Sequence, residues 1–479
     1  MTPAQARLLD LLAARLPARA IVTDREAIAP WETDWRKRWH GHAPILFAPG
    51  DTAQVSAIVA AAAATGVPLV PQGGNSSMVG GATPPADGSA AILSLRRMNA
   101  MRAIDPHAGL AVAEAGVILA DLHAAAAAAG RRFPLSLGAK GSATVGGLVS
   151  TNAGGVQVLR FGTMRGLVAG IEAVLPDGQV HDGLAALKKD NRGYDLTQLL
   201  IGAEGTLGVV TAATLRLFPA VRARAVAWVG LAGPAAALAL LRRFERAGDA
   251  VESFELLPRE SLDAVLRHIP GTRAPLGGAH PWHVLIEATA TGEQAGPIES
   301  PGALIERVLA AAAAAGEVAD ATIAASEAQA DAFWRIRESI SDAERAGGPA
   351  AQHDISVPVE TMPRFMIEAA AACEARFPGT RASGFGHLGD GNVHFHVRAP
   401  AGADPARWFA EDAPAVTRFV DDLVVAAGGS ISAEHGIGQM KRAELARLAS
   451  PARMAALRAI KTALDPHGIM NPGKLVSPE

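Results

Sequence analysis

The chain has 479 residues, 49% of them apolar, and 44 lysines and arginines stand against 47 aspartates and glutamates for a net charge of −3. That length exceeds one ordinary core, so two or three domains are expected, and the near-neutral balance leaves no basic excess for holding nucleic acid. The lone Cys373 excludes an internal disulfide and a cysteine-ligated iron–sulfur cluster, and no uncharged apolar stretch is long enough to span a bilayer, so a cytoplasmic protein without a transmembrane segment is expected.

In chain order, MTPAQARLLDLLAARLPARAI reads as an amphipathic helix interrupted by arginines, not as an apolar signal core. FAPGDTAQVSAIVAAAAATGVPLV predicts a helix capped by Asp51, running to about Thr65, closed by Gly66 and followed by the short strand VPLV. IEAVLPDGQVHDG predicts a hairpin turning at Asp177-Gly178, and VVTAATLRLFP, 209–219, a strand ending at Pro219. Beyond Pro219, AVAWVGL, VESFELLP and WHVLIEATA alternate with the helical stretches SLDAVLRHI and IERVLAAAAAAG. That rhythm predicts a small antiparallel sheet covered by helices on one face. The glycine-rich segments lie outside this region, which predicts a cofactor domain interrupted by a cap, with the chain returning to the cofactor site at its end.

Three glycine-rich loops, 71–84, 137–155 and 201–210, mix Gly with Ser, Thr or Asn and bring backbone N–H groups close to an anionic ligand. No G-x-G-x-x-G follows a strand with an acidic residue in the expected place, so this is not a Rossmann site. GIMNPGKL, 468–475, imitates a P-loop but ends in Leu475, which has no hydroxyl for Mg²⁺.

GFGHLGDGNVHFHV, 384–397, contains three histidines. The alternation in NVHFHV puts His394 and His396 on one strand face and Val393, Phe395 and Val397 on the other. His387 precedes a Gly-Asp-Gly turn that folds back on the strand, where Asp390 caps backbone N–H groups. Imidazoles gathered on one side of such a unit suggest a metal, completed by a carboxylate or water.

PQGGNSSMVGG, GAKGSATVGGLVSTNAGG, KKDNRGYDLTQLLIGAEGTLGVVT, GHLGDGNVHFHV, AEHGIGQMKR and DPHGIMNPGKL occur in the order used by flavin oxidoreductases of the vanillyl-alcohol oxidase type. Within these, the chain most resembles the D-2-hydroxyglutarate dehydrogenase family, whose relatives are the D-lactate dehydrogenases and the glycolate oxidase FAD subunit. The resemblance runs from about residue 40 to 475. It implies an α+β fold: an N-terminal helical segment (1–40), a two-subdomain FAD-binding domain (41–220), an antiparallel-sheet substrate or cap domain (221–425) and a C-terminal helical return segment (426–479). It also implies non-covalent FAD. Pro71, Gly73, Gly74, Asn75, Ser76 and Ser77 match the pyrophosphate cradle. Gly138, Gly141, Ser142, Gly147, Thr151 and Asn152 match the second loop's contribution. Glu204, Gly205 and Val209 match the adenine and ribose end, and Asn471 and Lys474 match residues approaching the flavin ring.

The same resemblance puts His387, His394 and Glu434 on the metal ligands and His435 on the catalytic base, with Zn²⁺ as the first choice and Mn²⁺ or Fe²⁺ also suited to the donor set. The chemistry is coherent: a 2-hydroxy acid chelates a cation through its carboxylate and hydroxyl, the cation acidifies the hydroxyl, and a neutral histidine takes the proton. Arg337, Ser341, Gln352 and His396 are the expected substrate contacts, with Arg337 and Ser341 one helical turn apart on one face, and with His396 open between a substrate contact, an extra metal ligand and a partner shielding His394. Two positions depart from the family. Gln352 stands where relatives carry a lysine, and His396 where they carry asparagine. The expected reaction is oxidation of a D-2-hydroxy acid, first D-2-hydroxyglutarate to 2-oxoglutarate, with a D-lactate or glycolate oxidase-type activity as the alternative. A direct oxidase and a flavin-binding subunit that needs a partner for turnover stay open as other classes. Electrons would pass to an electron-transfer flavoprotein, a quinone or another carrier, and a homodimer is an assembly to test.

Overall fold

The computed structural model describes residues 1–292 and 299–477. They form two compact units: residues 1–155, 162–220 and 434–479 make the first, and residues 156–161 and 221–433 the second. The fold is α+β.

In the first unit, the helix Pro3–Ala13 opens with a reciprocal cap between Thr2 and Gln5 and buries Leu8 and Leu12. The helix Thr52–Thr65 starts where the Asp51 carboxylate accepts the Gln54 N–H at 2.8 Å and stops at Gly66, whose φ of 70° suits a residue without a Cβ. The strand after it is Leu69–Gln72, two residues later than VPLV suggested, because the Val67 N–H still bonds back to the Ala62 carbonyl. This strand pairs in parallel with Ala91–Ser94, which pairs in parallel with Leu46–Phe47; Ile21–Val22 closes that edge antiparallel. A second sheet of this unit is antiparallel throughout, in the order Met101–Asp105, Leu110–Glu114, Val209–Arg216, Val168–Val174, Val180–Gly183. The Asp177-Gly178 turn joins its last two strands as expected, with the Gly178 N–H on the Leu175 carbonyl.

The second unit is built on a seven-stranded antiparallel sheet, in the order Asp320–Ile323, Ala223–Leu231, Trp282–Ala290, Val251–Pro258, Arg381–His387, Asn392–Arg398, Ala350–Ser356. Helices cover both faces, not one as the sequence rhythm suggested. Ala227, Val229, Leu256 and Ile286 pack in one core with the helices Pro234–Ala247, Pro301–Ala314, Met362–Arg376 and Ala413–Ala426. The alternate residues Val226, Trp228, Leu257 and Leu285 pack in another with Arg259–His268, Glu327–Glu338 and Ile340–Ala346. The near-continuous apolar runs of the central strands explain the error. A strand apolar on both sides needs two covers, and each large side chain so buried contributes roughly 1.5–3 kcal/mol.

Candidate active site

In the first unit the glycine motifs interlock. A side chain on Gly74 would collide with the Ser142 carbonyl, and one on Gly73 with the Thr144 hydroxyl, so glycine lets the first and second loops touch. Asn75 sits at a φ of 53° and donates through Nδ2 to the Thr33 carbonyl at 2.9 Å, while the Ser77 hydroxyl accepts the Gly81 N–H at 3.0 Å. Thr151 and Asn152 end the helix Val145–Thr151, and the Asn152 Oδ1 accepts the Arg165 N–H at 2.9 Å in the first turn of the helix Met164–Leu167. Pro71, Ser76 and Gly205 are near neighbours of this nest: Gly205 lies against the Pro71 ring, and Ser76 is half-buried beside Asn75. Val209 is a buried strand residue paired with Val174.

Gly138, Gly141, Ser142 and Gly147 are exposed, and an added Cβ on Gly138 or Gly141 would meet open space. The Thr144 hydroxyl is buried without a hydrogen-bond partner among the described residues. An open backbone cradle beside an orphaned hydroxyl fits the anionic part of a flavin nucleotide.

Glu204 acts differently from its expected contact with the adenine end. Its two carboxylate oxygens accept the N–H groups of Ile437 and Gly438, each at 2.7 Å, so the side chain clamps the AEHGIG loop that carries Glu434 and His435. Burial pushes its pKa up, against the pull of those N–H groups and of Lys441. Asn471 is likewise occupied: its Nδ2 donates to the carbonyls of Gly81, at 2.9 Å, and Glu204, at 2.7 Å. Lys474 is buried, with Nζ donating to the Pro472 carbonyl at 3.0 Å. The segment before GIMNPGKL is the helix Pro451–Leu464, not a strand, which removes the P-loop likeness.

In the second unit the hairpin Arg381–His387 and Asn392–Arg398 turns as the sequence suggested, and Asp390 accepts the Asn392 N–H at 3.0 Å. Val393, Phe395 and Val397 are fully buried on one face; His394 and His396 lie on the other. Register then brings carboxylates to this face that sequence motifs did not reveal. Glu255 stands opposite His387, and its Oε1 lies 2.6 Å from His387 Nδ1. Asp354 stands opposite His394, with Oδ1 4.0 Å from its Nδ1, and takes an N–H of Asn392 at 3.0 Å. Glu344, from the helix Ile340–Ala346, reaches within 3.5 Å of His396 Nδ1.

Each imidazole therefore turns its Nδ1 edge to an acid. With the Nδ1 proton shared with Glu255, the His387 lone pair lies on Nε2, the tautomer that binds a cation. His387 and His394 each offer a ring nitrogen within 4.8 Å of the other's, so the pair could hold a metal ion. The Ala433 N–H bonds to the Asp354 carbonyl at 3.3 Å, and the chain continues from there into Glu434.

Arg337 is buried, with Nε donating to Glu255 Oε2 at 2.7 Å and its guanidinium over the Phe385 ring at 5.1 Å. Burial pushes the Glu255 carboxyl up, but Arg337 and His387 outweigh it and hold the group below its ordinary range. Gln352 pairs across the sheet with His396. Ser341 departs from expectation. The helix Glu327–Glu338 ends after Arg337, a new helix starts at Ile340, and Ser341 is exposed while Arg337 is buried. The turn at Ser339 breaks the single helical face that the four-residue spacing assumed.

Residues 43–183 match the family described as FAD binding domain, and residues 220–475 match FAD linked oxidases, C-terminal domain. The chain is 36% identical to a mitochondrial D-2-hydroxyglutarate dehydrogenase of Arabidopsis thaliana over 96% of this chain and 80% of that one. It is 35% identical to a D-2-hydroxyglutarate dehydrogenase of Xanthomonas citri over 98% and 96%. A D-2-hydroxyglutarate–pyruvate transhydrogenase of Saccharomyces cerevisiae is 31% identical over 94% and 90%. Among solved structures, p-cresol methylhydroxylase superposes with a TM-score of 0.77 at 15% identity, covering 99% of this chain and 97% of that one. Alkyldihydroxyacetonephosphate synthase superposes with a TM-score of 0.72 at 16% identity, covering 99% and 86%. These two likenesses define the fold.

Proposed function

We propose, given that this chain belongs to the FAD-linked oxidase family and is an FAD-dependent oxidoreductase, that it oxidises D-2-hydroxyglutarate to 2-oxoglutarate. Oxidation of a D-2-hydroxy acid is the coarser reading that its D-2-hydroxyglutarate dehydrogenase relatives support. The observation that carries the finer one is the second unit's polar sheet face, where His387 is oriented by Glu255 and Arg337 is buried on the same carboxylate.

FAD, held non-covalently by the loops around Gly74, Ser142 and Asn152, supplies the two-electron acceptor when bound. A divalent cation, zinc first, supplies Lewis acidity toward the substrate hydroxyl, and His387, His394 and Glu434 are its proposed holders. His435 is the proposed base that removes the hydroxyl proton. Arg337 binds a substrate carboxylate, and its hydrogen bond to Glu255 keeps the guanidinium from swinging away. The electron acceptor is proposed to be an electron-transfer flavoprotein, a quinone or another carrier. Among the described residues no helix is long and apolar enough to cross a membrane. The cytoplasm is the proposed compartment, in keeping with a sequence whose one cysteine, Cys373, has no partner in the chain for a disulfide.

A second reading, a shorter substrate such as D-lactate, is favoured by Gln352, which offers an amide where relatives offer a full charge. Anaerobic addition of (R)-2-hydroxyglutarate or D-lactate to the flavoprotein separates them. Bleaching by the diacid at low concentration supports the first reading, and bleaching by lactate alone supports the second. A flavin that neither acid bleaches, with divalent metal restored, removes both.

A further inference from the structure

Three arginines converge on a cleft of the second unit that the proposed reaction does not use. Arg243, Arg246 and Ala247 fall at i, i+3 and i+4 on the helix Pro234–Ala247, and Arg307, Val308 and Ala311 share a face of the helix Pro301–Ala314. These six residues line a cleft of about 210 Å³. Both helices pack in the core that contains Val393, Phe395 and Val397, so the cleft lies on the side of the sheet away from His394 and His396.

Acids that do not line the cleft hold two of the guanidiniums. Arg243 donates through Nε and Nη2 to Glu317, at 2.6 and 2.7 Å, and Arg307 through the same two atoms to Glu299, at 2.8 and 2.7 Å. Such forked pairs fix the plane of each guanidinium and leave Nη1 to donate elsewhere. Arg246 is exposed and pairs with no acid among the described residues. Its charge still reaches Glu317, whose carboxyl is held below its ordinary range first by the Arg243 hydrogen bond and further by Arg246. A place in the last turn of its helix suits the macrodipole, but that accounts for Arg246 and not for Arg243 or Arg307. Among the described residues no carboxylate lines the cleft, so three like charges face one space without an acid of the protein between them.

We propose that this cleft is an anion site of the second unit, for the phosphate group of a small soluble molecule. A tetrahedral phosphate presents oxygens in several directions and meets three separately held guanidiniums, whereas a planar carboxylate engages one fork at a time. The cleft is smaller than the roughly 300–1,000 Å³ of a pocket for a drug-sized ligand, which limits the body that carries the phosphate to a short one. Ala247, Val308 and Ala311 give that body an apolar floor, and no aromatic ring lines the cleft to stack a nucleobase. Neither helix exposes a large hydrophobic residue to insert into a bilayer, so a lipid headgroup is the poorer fit. The site does not depend on which hydroxy acid the flavin oxidises.

The test titrates inorganic phosphate into the FAD-loaded protein by calorimetry, at pH 8 and fixed ionic strength, so that the glycine loops already hold their own ligand. The expected result is saturable binding of one phosphate per chain that weakens about tenfold in Arg246→Glu and in Arg307→Gln, with melting temperatures and flavin spectra confirming the fold. Arg242→Gln is the control: Arg242 lies on the same helix but pairs with Glu245 and Glu360 outside the cleft, and its loss should leave binding within twofold. Arg246→Gln keeps the test decisive if the charge reversal does not fold. No saturable binding, binding indifferent to Arg246 and Arg307, or an equal loss in Arg242→Gln overturns the site. Cosedimentation with phosphatidic acid vesicles that Arg246→Glu abolishes overturns the soluble ligand in favour of a lipid headgroup.

Discussion

Lys474 is 1% exposed, and burial, with repulsion from Arg442, pushes its pKa down from 10.5 to about 7. A lysine so depressed penalises the folded state fully below about pH 7, and the penalty fades as pH rises to the unfolded value of 10.5. The flavin-free protein should therefore gain stability across that window, and Lys474→Met should flatten the gain in melts taken from pH 6.5 to 10. Bound FAD, an anion, favours the charged amine, so binding near pH 8 should take up close to one proton. Titrations in buffers of different ionisation enthalpy measure it, and no uptake would remove Lys474 from the flavin's surroundings. His435 carries a sharper expectation: His435→Ala should keep the flavin yet slow its reduction by substrate at least a hundredfold in anaerobic stopped-flow. Normal reduction would eliminate it as the base. At this scale the sequence revealed His387, His394 and His396 because they crowd one short motif. It did not reveal Glu255, Asp354 and Glu344, which lie in separate elements and meet the histidines only through sheet register and helix packing.

The AEHGIG loop illustrates what an element requires to hold the proposed base in place. Its N–H groups at Ile437 and Gly438 share one buried carboxylate, and the Gln439 side chain donates to the Gly80 carbonyl at 2.9 Å. Glu204→Gln keeps the size but replaces one acceptor by a donor facing an N–H. It should cost about 1–3 kcal/mol, seen as a lower melting temperature and faster proteolysis within the loop. An unchanged melt and digestion pattern would show the clamp to be unnecessary. Helices with local signals, such as Thr52–Thr65 with Asp51 and Gly66 at its ends, were legible from the chain alone. The break at Ser339 was not. Neither glycine nor proline marks it, and the turn there separates Arg337 from Ser341.

For the whole molecule, metal and flavin are expected to be separable. Prolonged chelation should abolish turnover while leaving the flavin spectrum intact, and one divalent ion per chain should restore the rate. Full activity in the metal-free protein would leave His387, His394 and Glu434 without their proposed task. The sequence order of glycine segments, before residue 210 and after 384, suggested a cofactor region interrupted by an insertion, but the segment from 384 to 397 lies within the second unit and the first unit resumes only at 434. It underestimated the insertion's sheet, since an apolar strand does not say how many of its faces are covered.

The first unit draws its residues from three stretches, and the last of them begins only at 434. Lys461 bonds to the Thr206 and Met470 carbonyls, and the Leu69 N–H bonds to Ile469, so its interior is stitched by the end of the chain. On the ribosome, every residue of the inserted unit has been synthesised before that stitching can begin. The cofactor cradle is thus the part that waits, exposed and unfinished, while the insertion already has its whole sequence to fold with.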